Sequence, residues 1–467
     1  MEKFKLMDHQ KISLAMMEAN EGLGLFLAMG LGKTAIALAY IYKHLKRGDF
    51  VNGVLVVCPA SLIASWEQAI NDMARFEGFD AHAVELLKKH IVIRSYQKTY
   101  KSTKIPIGRD GDEVTYKKVI ELRPDVDKYW SCLIIDESHQ CSAHKAAQTN
   151  AAITLAKLSA RRYIMTGTPT HGGRGRPAYD KLYGQIQIIT AGQAFRNWTD
   201  FSNKAVATVD KWYKPDTFNE EYCKKLMEKY AVVYRIEDCI DMPKKIEQDV
   251  PCPLVEKTIY TDLGRGDIAK YGLDIQNAGG QYTKMLQVCS GSMKVTDTST
   301  MMLRTSKDDA LGDILNGTDE PVVIFCNYRA SIDHAAAVAK KAGRKVVVFD
   351  GRSKTETWRD FQAGRVDCIV CQYQSGGVGL NLQRSHIMVC YEPCFSSLLL
   401  TQALGRIYRK GQEHTCQYYY LVTRGTLEEK VFKLVRSGVD INDKLLHDLA
   451  TGNGEYFTRG ESNELQS

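Results

Sequence analysis

At 467 residues, with 44% hydrophobic and 25% charged side chains, the chain is too long for one core and too apolar to stay disordered; roughly 150 residues per domain gives about three units. Lys and Arg outnumber Asp and Glu by 62 to 55, a formal +7 that permits a polyanionic partner without requiring one. No apolar run approaches the roughly 18 residues that span a bilayer, and the opening MEKFKLMDHQ has no signal-peptide core, so no membrane partner and a cytoplasmic location are expected.

In chain order, the first chemical signal is LAMGLGKTAIAL, Leu27 to Leu38. Met29, Gly30, Leu31 and Gly32 form a turn whose N–H groups can close around phosphates at the start of a helix, where the dipole favours anions. Lys33 would reach the β- and γ-phosphates and the Thr34 hydroxyl would ligate Mg²⁺. Leu27 stands where the full phosphate-loop pattern has its first glycine, so an ordinary glycine-rich turn is the competing reading.

Short Val- and Ile-rich runs at Val54 to Cys58, Ile91 to Ile93, Cys132 to Ile135 and Tyr163 to Met165 read as parallel strands buried on both faces. Ser102 to Lys128, with Asp110-Gly111 at its turn, reads as an inserted hairpin. Directly after the third run stand Asp136, Glu137, Ser138 and His139, at the strand end where a doubly wound fold binds its ligand. Asp136 would hold Mg²⁺ and Glu137 would polarise the attacking water; the alternative is that the group only caps a helix.

From Ala178 to Leu315 the strand rhythm stops, helical stretches run over Glu220 to Tyr230 and Gly279 to Cys289, and MPKK at 242 to 245 marks the crossing point. A second strand series follows at Val322 to Cys326, Val346 to Phe349, Cys368 to Cys371 and Ile387 to Cys390. Cys368 and Cys371, three apart on a strand, face opposite ways and cannot share a metal. Cys58, Cys132, Cys326 and Cys390 sit in apolar runs as small hydrophobes, which fits a reduced compartment. Arg406 and Arg409, three apart on a helix face, could act as arginine fingers or form a plain basic surface. The expected organisation is an α/β lobe at 1–177, helical insertions and a linker at 178–315, a second α/β lobe at 316–451 and a flexible tail at 452–467, with a doubly wound parallel sheet in each lobe.

Read together, these segments resemble the superfamily-two helicase motifs, specifically those of the Swi/Snf-like branch of DNA translocases related to chromatin remodellers. His9-Gln10 resembles the adenine-reading glutamine motif, MGLGKT the phosphate loop, PASLIASW motif Ia, IRSYQ motif Ib, DESH motif II and TGTP motif III. IFCNY resembles motif IV, SGGVGLNL motif V and QALGRIYRKGQ motif VI, so that the likeness covers about residues 1–435. Two departures stand out: Leu27 and Ala28 replace the family's usual acidic pair, and the Gly/Arg-rich HGGRGRP, with Arg174 and Arg176, follows TGTP either as a solvated turn or as a nucleic-acid contact.

The resemblance implies two RecA-like lobes that complete an ATP site on closing, with Gln10, Gly379 and Arg406 joining the phosphate loop at the nucleotide. It implies sequence-blind contacts to a DNA backbone at Ser61, Ser95, Tyr96, Asn327, Tyr328, Ser375 and Gly376. Thr166, Gly167, Thr168 and Gln402 would couple nucleotide state to movement; His139 would either join them or make a structural hydrogen bond, and Trp66 and Trp358 would pack rather than stack on bases. The expected activity is an ATP-driven monomeric translocase on duplex or branched DNA, with a replication or recombination protein as candidate partner. A strand-separating DNA or RNA helicase, with the hairpin as its wedge, and a nucleotide-gated assembly module with weak ATPase remain the alternatives.

Overall fold

Runs such as Val54–Cys58 and Val322–Cys326 have no polar face, so they are stable only with apolar cover on both sides, as inner strands of a parallel sheet. The computed structural model describes residues 3–452 except 111–112, 172–176, 210–214, 274–277, 354–356 and 377–379. It contains two six-stranded parallel sheets, in two units divided between Asp241 and Met242.

The first unit carries β1 (Gly22–Leu27), β2 (Val54–Cys58), β3 (Ile91–Ser95), the hairpin strands β4 (Tyr100–Asp110) and β5 (Glu113–Leu122), β6 (Trp130–Asp136), β7 (Ser159–Met165), the short hairpin of β8 (Val206–Val209) and β9 (Pro215–Phe218), and β10 (Ala231–Tyr234). Its sheet runs β10-β1-β7-β6-β2-β3. On one face Leu133, Ile135 and Ile164 pack with Leu155 and Ile186 of the helices Ala147–Lys157 and Leu182–Ile189. Each such buried side chain contributes roughly 1.5–3 kcal/mol. Because β7 lies between β1 and β6, the segments leaving these three strands emerge side by side at the C-terminal edge, where doubly wound sheets bind ligands.

The second unit carries β11 (Lys245–Cys252), the hairpin of β12 (Ser292–Lys294) and β13 (Thr300–Met302), then β14 (Val322–Cys326), β15 (Val346–Phe349), β16 (Cys368–Gln372), β17 (Ile387–Cys390) and β18 (Cys416–Thr423). Its sheet runs β11-β18-β17-β14-β16-β15. Ile324, Val389 and Leu421 pack against Leu311 and Ile332 of the helices Lys307–Asn316 and Arg329–Lys341. The thirteen cysteines are all free thiols and, Cys239 apart, all buried. Among the described residues no helix is long and apolar enough to cross a membrane.

The two doubly wound sheets agree with the expected fold class; the stretch 178–315, expected as helical insertions with a crossing at MPKK, also carries strands, and the units divide at that crossing. Residues up to Asp241 belong to the first unit and add β10 to its sheet, whereas Met242 onward belongs to the second and adds β11. Both are edge strands. β10, the short AVVY, follows the helix Glu220–Tyr230 with no intervening turn, and β11 is exposed over most of its length, so neither stands out from its flanks as an inner strand does. The expected hairpin is present, although Gly111 of its turn lies outside the described residues, as do Arg174 and Arg176.

Candidate active site

The phosphate-loop segment joins β1 to the helix Lys33–Arg47 through two residues in the left-handed region, Gly30 (φ 86°) and Gly32 (φ 77°), a conformation that side chains disfavour. A Cβ on Gly32 would also lie 2.2 Å from Gln10 Nε2. That amide donates to Leu31 O at 3.1 Å, His9 Nε2 lies 3.1 Å from the same oxygen, and Gln10 Oε1 accepts from Met7 N at 2.9 Å. His9 and Gln10 therefore brace the loop from outside. Lys33 Nζ donates to Leu27 O at 2.8 Å, and Thr34 is half-buried in the helix's first turn.

At the end of β6 the Asp136 carboxylate is 6% exposed. Burial, then the adjacent Glu137 charge, pushes its carboxyl up to about 6, against the hydrogen bond from Trp66 and the charge of Lys33. Trp66 Nε1 donates to Asp136 Oδ2 at 2.9 Å, while Asp136 Oδ1 accepts from Glu137 N at 2.9 Å. Each oxygen keeps a second lone-pair direction for a cation or water. Glu137 sits at φ 52°, unusual for a residue with a side chain, and its Oε2 lies 3.3 Å from His139 Nδ1. The same ring nitrogen is 3.0 Å from Thr166 Oγ1, which accepts from Thr168 N at 3.1 Å. A Cβ on Gly167 would lie 3.4 Å from both Leu27 O and Met29 N, so the turn after β7 rests against the phosphate loop.

This donor set fits a magnesium nucleotide: a helix N-terminus with a lysine and a threonine, facing a buried carboxylate and a second carboxylate held by histidine. The helix-cap alternative for Asp136 fails, because its side chain bonds Trp66 and the next backbone N–H rather than a helix end.

Several expected residues stand elsewhere than anticipated. Tyr96 is 1% exposed and its hydroxyl donates to Asp136 O at 2.7 Å, so it faces the interior rather than a nucleic acid; Ser95 is buried as well. Ser61 is exposed, as are Gln97 and Lys98 beside Tyr96. Asn327 and Tyr328 are half-buried after β14, and Ser375 is half-buried in the helix Tyr373–Gly376 after β16. Gln402 is buried in the helix Ser397–Leu404, and Gly379 lies outside the described residues.

Arg406 and Arg409 do not share a helix face. The helix ends at Leu404, the chain turns there to enter β18, and Gln412 fastens the turn with its Nε2 on Ser385 O at 2.9 Å and its Oε1 accepting from His414 N at 3.1 Å. Arg406 is 3% exposed and donates from Nη1 to Leu380 O, and Arg409 donates from Nε to Gly405 O.

Sequence reasoning also passed over three polar groups. Trp66 orients the Asp136 carboxylate. Gln185, fully buried, accepts from Ser138 Oγ at 2.9 Å and donates to Pro169 O at 2.8 Å, tying the segments after β6 and β7 together. Glu392, also fully buried, accepts from Asn327 N and Tyr328 N at 2.8 Å each and from Ser331 Oγ at 2.7 Å. The last two carried a signal: a glutamine inside the apolar LYGQIQII, and a glutamate immediately after an apolar strand run.

Comparison with known proteins matches residues 9–307 to the SNF2-related domain and residues 306–411 to the helicase conserved C-terminal domain. The DNA repair and recombination protein RDH54 of Saccharomyces cerevisiae (strain JAY291) is 23% identical over 517 residues, covering 94% of this chain and 53% of the relative. An uncharacterized ATP-dependent helicase of Bacillus subtilis, YqhH, is 22% identical, covering 90% of this chain and 75% of the relative. The chain thus spans about half the length of the recombination proteins it matches. A solved Sulfolobus solfataricus SWI2/SNF2 ATPase core in complex with dsDNA is 19% identical, with 97% of this chain and 94% of that one covered at a TM-score of 0.38.

Proposed function

The chain belongs to the SNF2-related family of superfamily-two nucleic-acid-dependent ATPases, and on that premise we propose that it hydrolyses ATP to move along duplex or branched DNA, reading backbone phosphates rather than base sequence. The observation that supports this best is the convergence of Lys33, Asp136, Glu137, His139 and Thr166 at the adjacent ends of β1, β6 and β7.

In this reading Lys33 exchanges the Leu27 carbonyl for β- and γ-phosphate oxygens, and the loop N–H groups between Met29 and Thr34 hold the remaining ones. Thr34 and Asp136 would hold Mg²⁺, which when bound would neutralise charge on the phosphate oxygens. Glu137, positioned by His139, orients the attacking water. Arg406 and Arg409, in the segment that resembles motif VI, are the candidates to neutralise charge at the γ-phosphate. Gly379 and Gln10 complete the nucleotide contacts. Thr166, Gly167, Thr168 and Gln402 pass loss of the γ-phosphate to the track. Ser61, Asn327, Tyr328, Ser375 and Gly376 mark the segments that hold the backbone, a salt-sensitive and sequence-blind mode.

The yeast relative's role in DNA repair and recombination makes a protein of that process the candidate partner. Steady-state ATPase assays with duplex, forked and single-stranded DNA and with RNA test the proposal, with Lys33→Ala as control. Strong stimulation by duplex or forked DNA, lost in the variant, is expected. Stimulation by RNA alone, or by no polymer, overturns it.

A further inference from the structure

The segments after β2 and β3 present exposed polar groups outward, Ser61 on one and Gln97 and Lys98 on the other. Each also sends one aromatic side chain inward to the same acidic residue. Trp66, on the helix Ile63–Asp72 that follows Ser61, is 1% exposed and donates its only N–H to Asp136 Oδ2 at 2.9 Å. Tyr96, flanked by Ser95 and Gln97, is 1% exposed and donates its hydroxyl to Asp136 O at 2.7 Å, with Glu137 O at 3.4 Å.

These two bonds constrain different things. Trp66 sets the rotation of the carboxylate, which decides where its remaining lone pairs point. Tyr96 holds the Asp136 carbonyl, with the Glu137 carbonyl further off, on either side of the Glu137 Cα, in a turn where Glu137 adopts φ 52°. A residue with a side chain persists in that region only when its surroundings over-determine it. The tyrosine hydroxyl is such a determinant, and it is mounted on a loop with an exposed outer face. A shift of either loop of a few tenths of an ångström would lengthen a bond to the acidic pair, because both aromatic side chains are packed and cannot follow independently.

We propose that Trp66 and Tyr96 are positioning residues that transmit occupancy of the loops after β2 and β3 to Asp136, so that a nucleic-acid backbone bound at those loops aligns the carboxylate for catalysis. This rests on the functional reading above, in which the loops hold the backbone and Asp136 serves the nucleotide. It differs from coupling through Thr166–Thr168, because the path runs through the aromatic donors and leaves the turn after β7 aside.

The test uses Trp66→Phe and Tyr96→Phe, each of which removes one donor and keeps an aromatic ring in the core. Turnover at saturating ATP is measured with and without saturating duplex DNA, together with DNA affinity and the Mg²⁺ concentration for half-maximal rate. Urea midpoints verify folding, and Tyr96→Phe, which deletes a single oxygen, carries the test if Trp66→Phe unfolds. The expected result is a fall in the ratio of DNA-stimulated to basal turnover, of about tenfold in Trp66→Phe, which loses a hydrogen bond to a charged group, and of about threefold in Tyr96→Phe, which loses one to a backbone carbonyl. The half-saturating Mg²⁺ should rise while DNA affinity stays within about twofold. A stimulation ratio unchanged in Tyr96→Phe overturns the relay and leaves the DNA-dependent ATPase reading intact. A wild-type protein that no nucleic acid stimulates overturns that reading and the relay with it.

Discussion

Lys307 Nζ and Glu428 Oε1 lie 2.6 Å apart with both side chains fully buried, joining the start of the helix Lys307–Asn316 to the start of the helix Leu427–Arg436. Lys307 also donates to Tyr391 O at 2.7 Å, and Glu428 Oε2 accepts from Thr423 N at 2.9 Å. The pair thus closes the C-terminal edge of the second sheet at the ends of β17 and β18. Removing one partner strands a buried charge, at a cost of about 3–5 kcal/mol. Lys307→Met should lower the stability of the second unit by that amount in urea unfolding, and the double variant Lys307→Met/Glu428→Gln should recover part of it. Equal loss in both variants would show that packing, not charge pairing, dominates.

Glu392 holds the Asn327–Tyr328 segment by two backbone N–H groups. Glu392→Ala leaves them without their acceptor at about 1–3 kcal/mol each. The DNA concentration for half-maximal ATPase stimulation should rise by about tenfold or more. Glu392→Gln, whose amide oxygen can still accept both, should stay within about threefold. A DNA titration of the two variants checks this, and identical curves for Ala and wild type would refute it.

Gly32→Ala places a side chain at φ 77° and against the Gln10 amide. Nucleotide affinity should fall by about tenfold or more, because the loop must open to relieve both problems. Adding Gln10→Ala removes the collision but not the left-handed strain, so the double variant should recover only part of the loss. Fluorescent-nucleotide titration distinguishes full recovery, partial recovery and none.

His334 Nδ1 lies 3.3 Å from Asp308 Oδ2. The hydrogen bond to the Asp308 carboxylate raises the His334 value above its ordinary 6.5, despite burial. Burial acts upward on the Asp308 carboxyl, but the bonds from His334 and Tyr391 outweigh it and hold it below 3.8. The histidine contribution is complete below pH 6.5 and lost as pH rises through the elevated value; the aspartate contribution is present above pH 3.8 and lost as pH falls through the depressed one. The pair should therefore stabilise the second unit most at mildly acid pH and lose the histidine part of its effect as pH rises through the elevated His334 value. With both groups partly solvated the amplitude should be under about 1 kcal/mol. His334→Gln should flatten this part of the pH profile of thermal unfolding, and an unchanged profile would exclude the pair as its source.

Sequence alone identified β2, β3, β6 and β7 of the first sheet and β14 to β17 of the second, because runs such as Val54–Cys58 or Val322–Cys326 can be satisfied only between two apolar layers, but it missed the inner strands β1 and β18. It also singled out Lys33, Thr34, Asp136 and Glu137 as candidates for phosphate and cation chemistry, since they stand shortly after β1 and β6, where backbone spacing is local. The edge strand β11 was illegible because it is mostly exposed and needs no apolar run, and the short β10, AVVY, because it runs straight on from a helix. The burial of Tyr96 and Arg406 was illegible for a different reason. Whether a polar-tipped side chain beside a strand end faces solvent or interior depends on what the neighbouring strand offers, and Asp136 O lies 40 residues from Tyr96 and Leu380 O lies 26 from Arg406. Trp66 meets Asp136 across 70 residues for the same reason: β2 and β6 are register partners, from Val54 with Cys132 to Val57 with Ile135. Local chemistry is therefore written along the chain, whereas the partner of each buried donor is decided by strand order and register, which exist only once the sheet has formed.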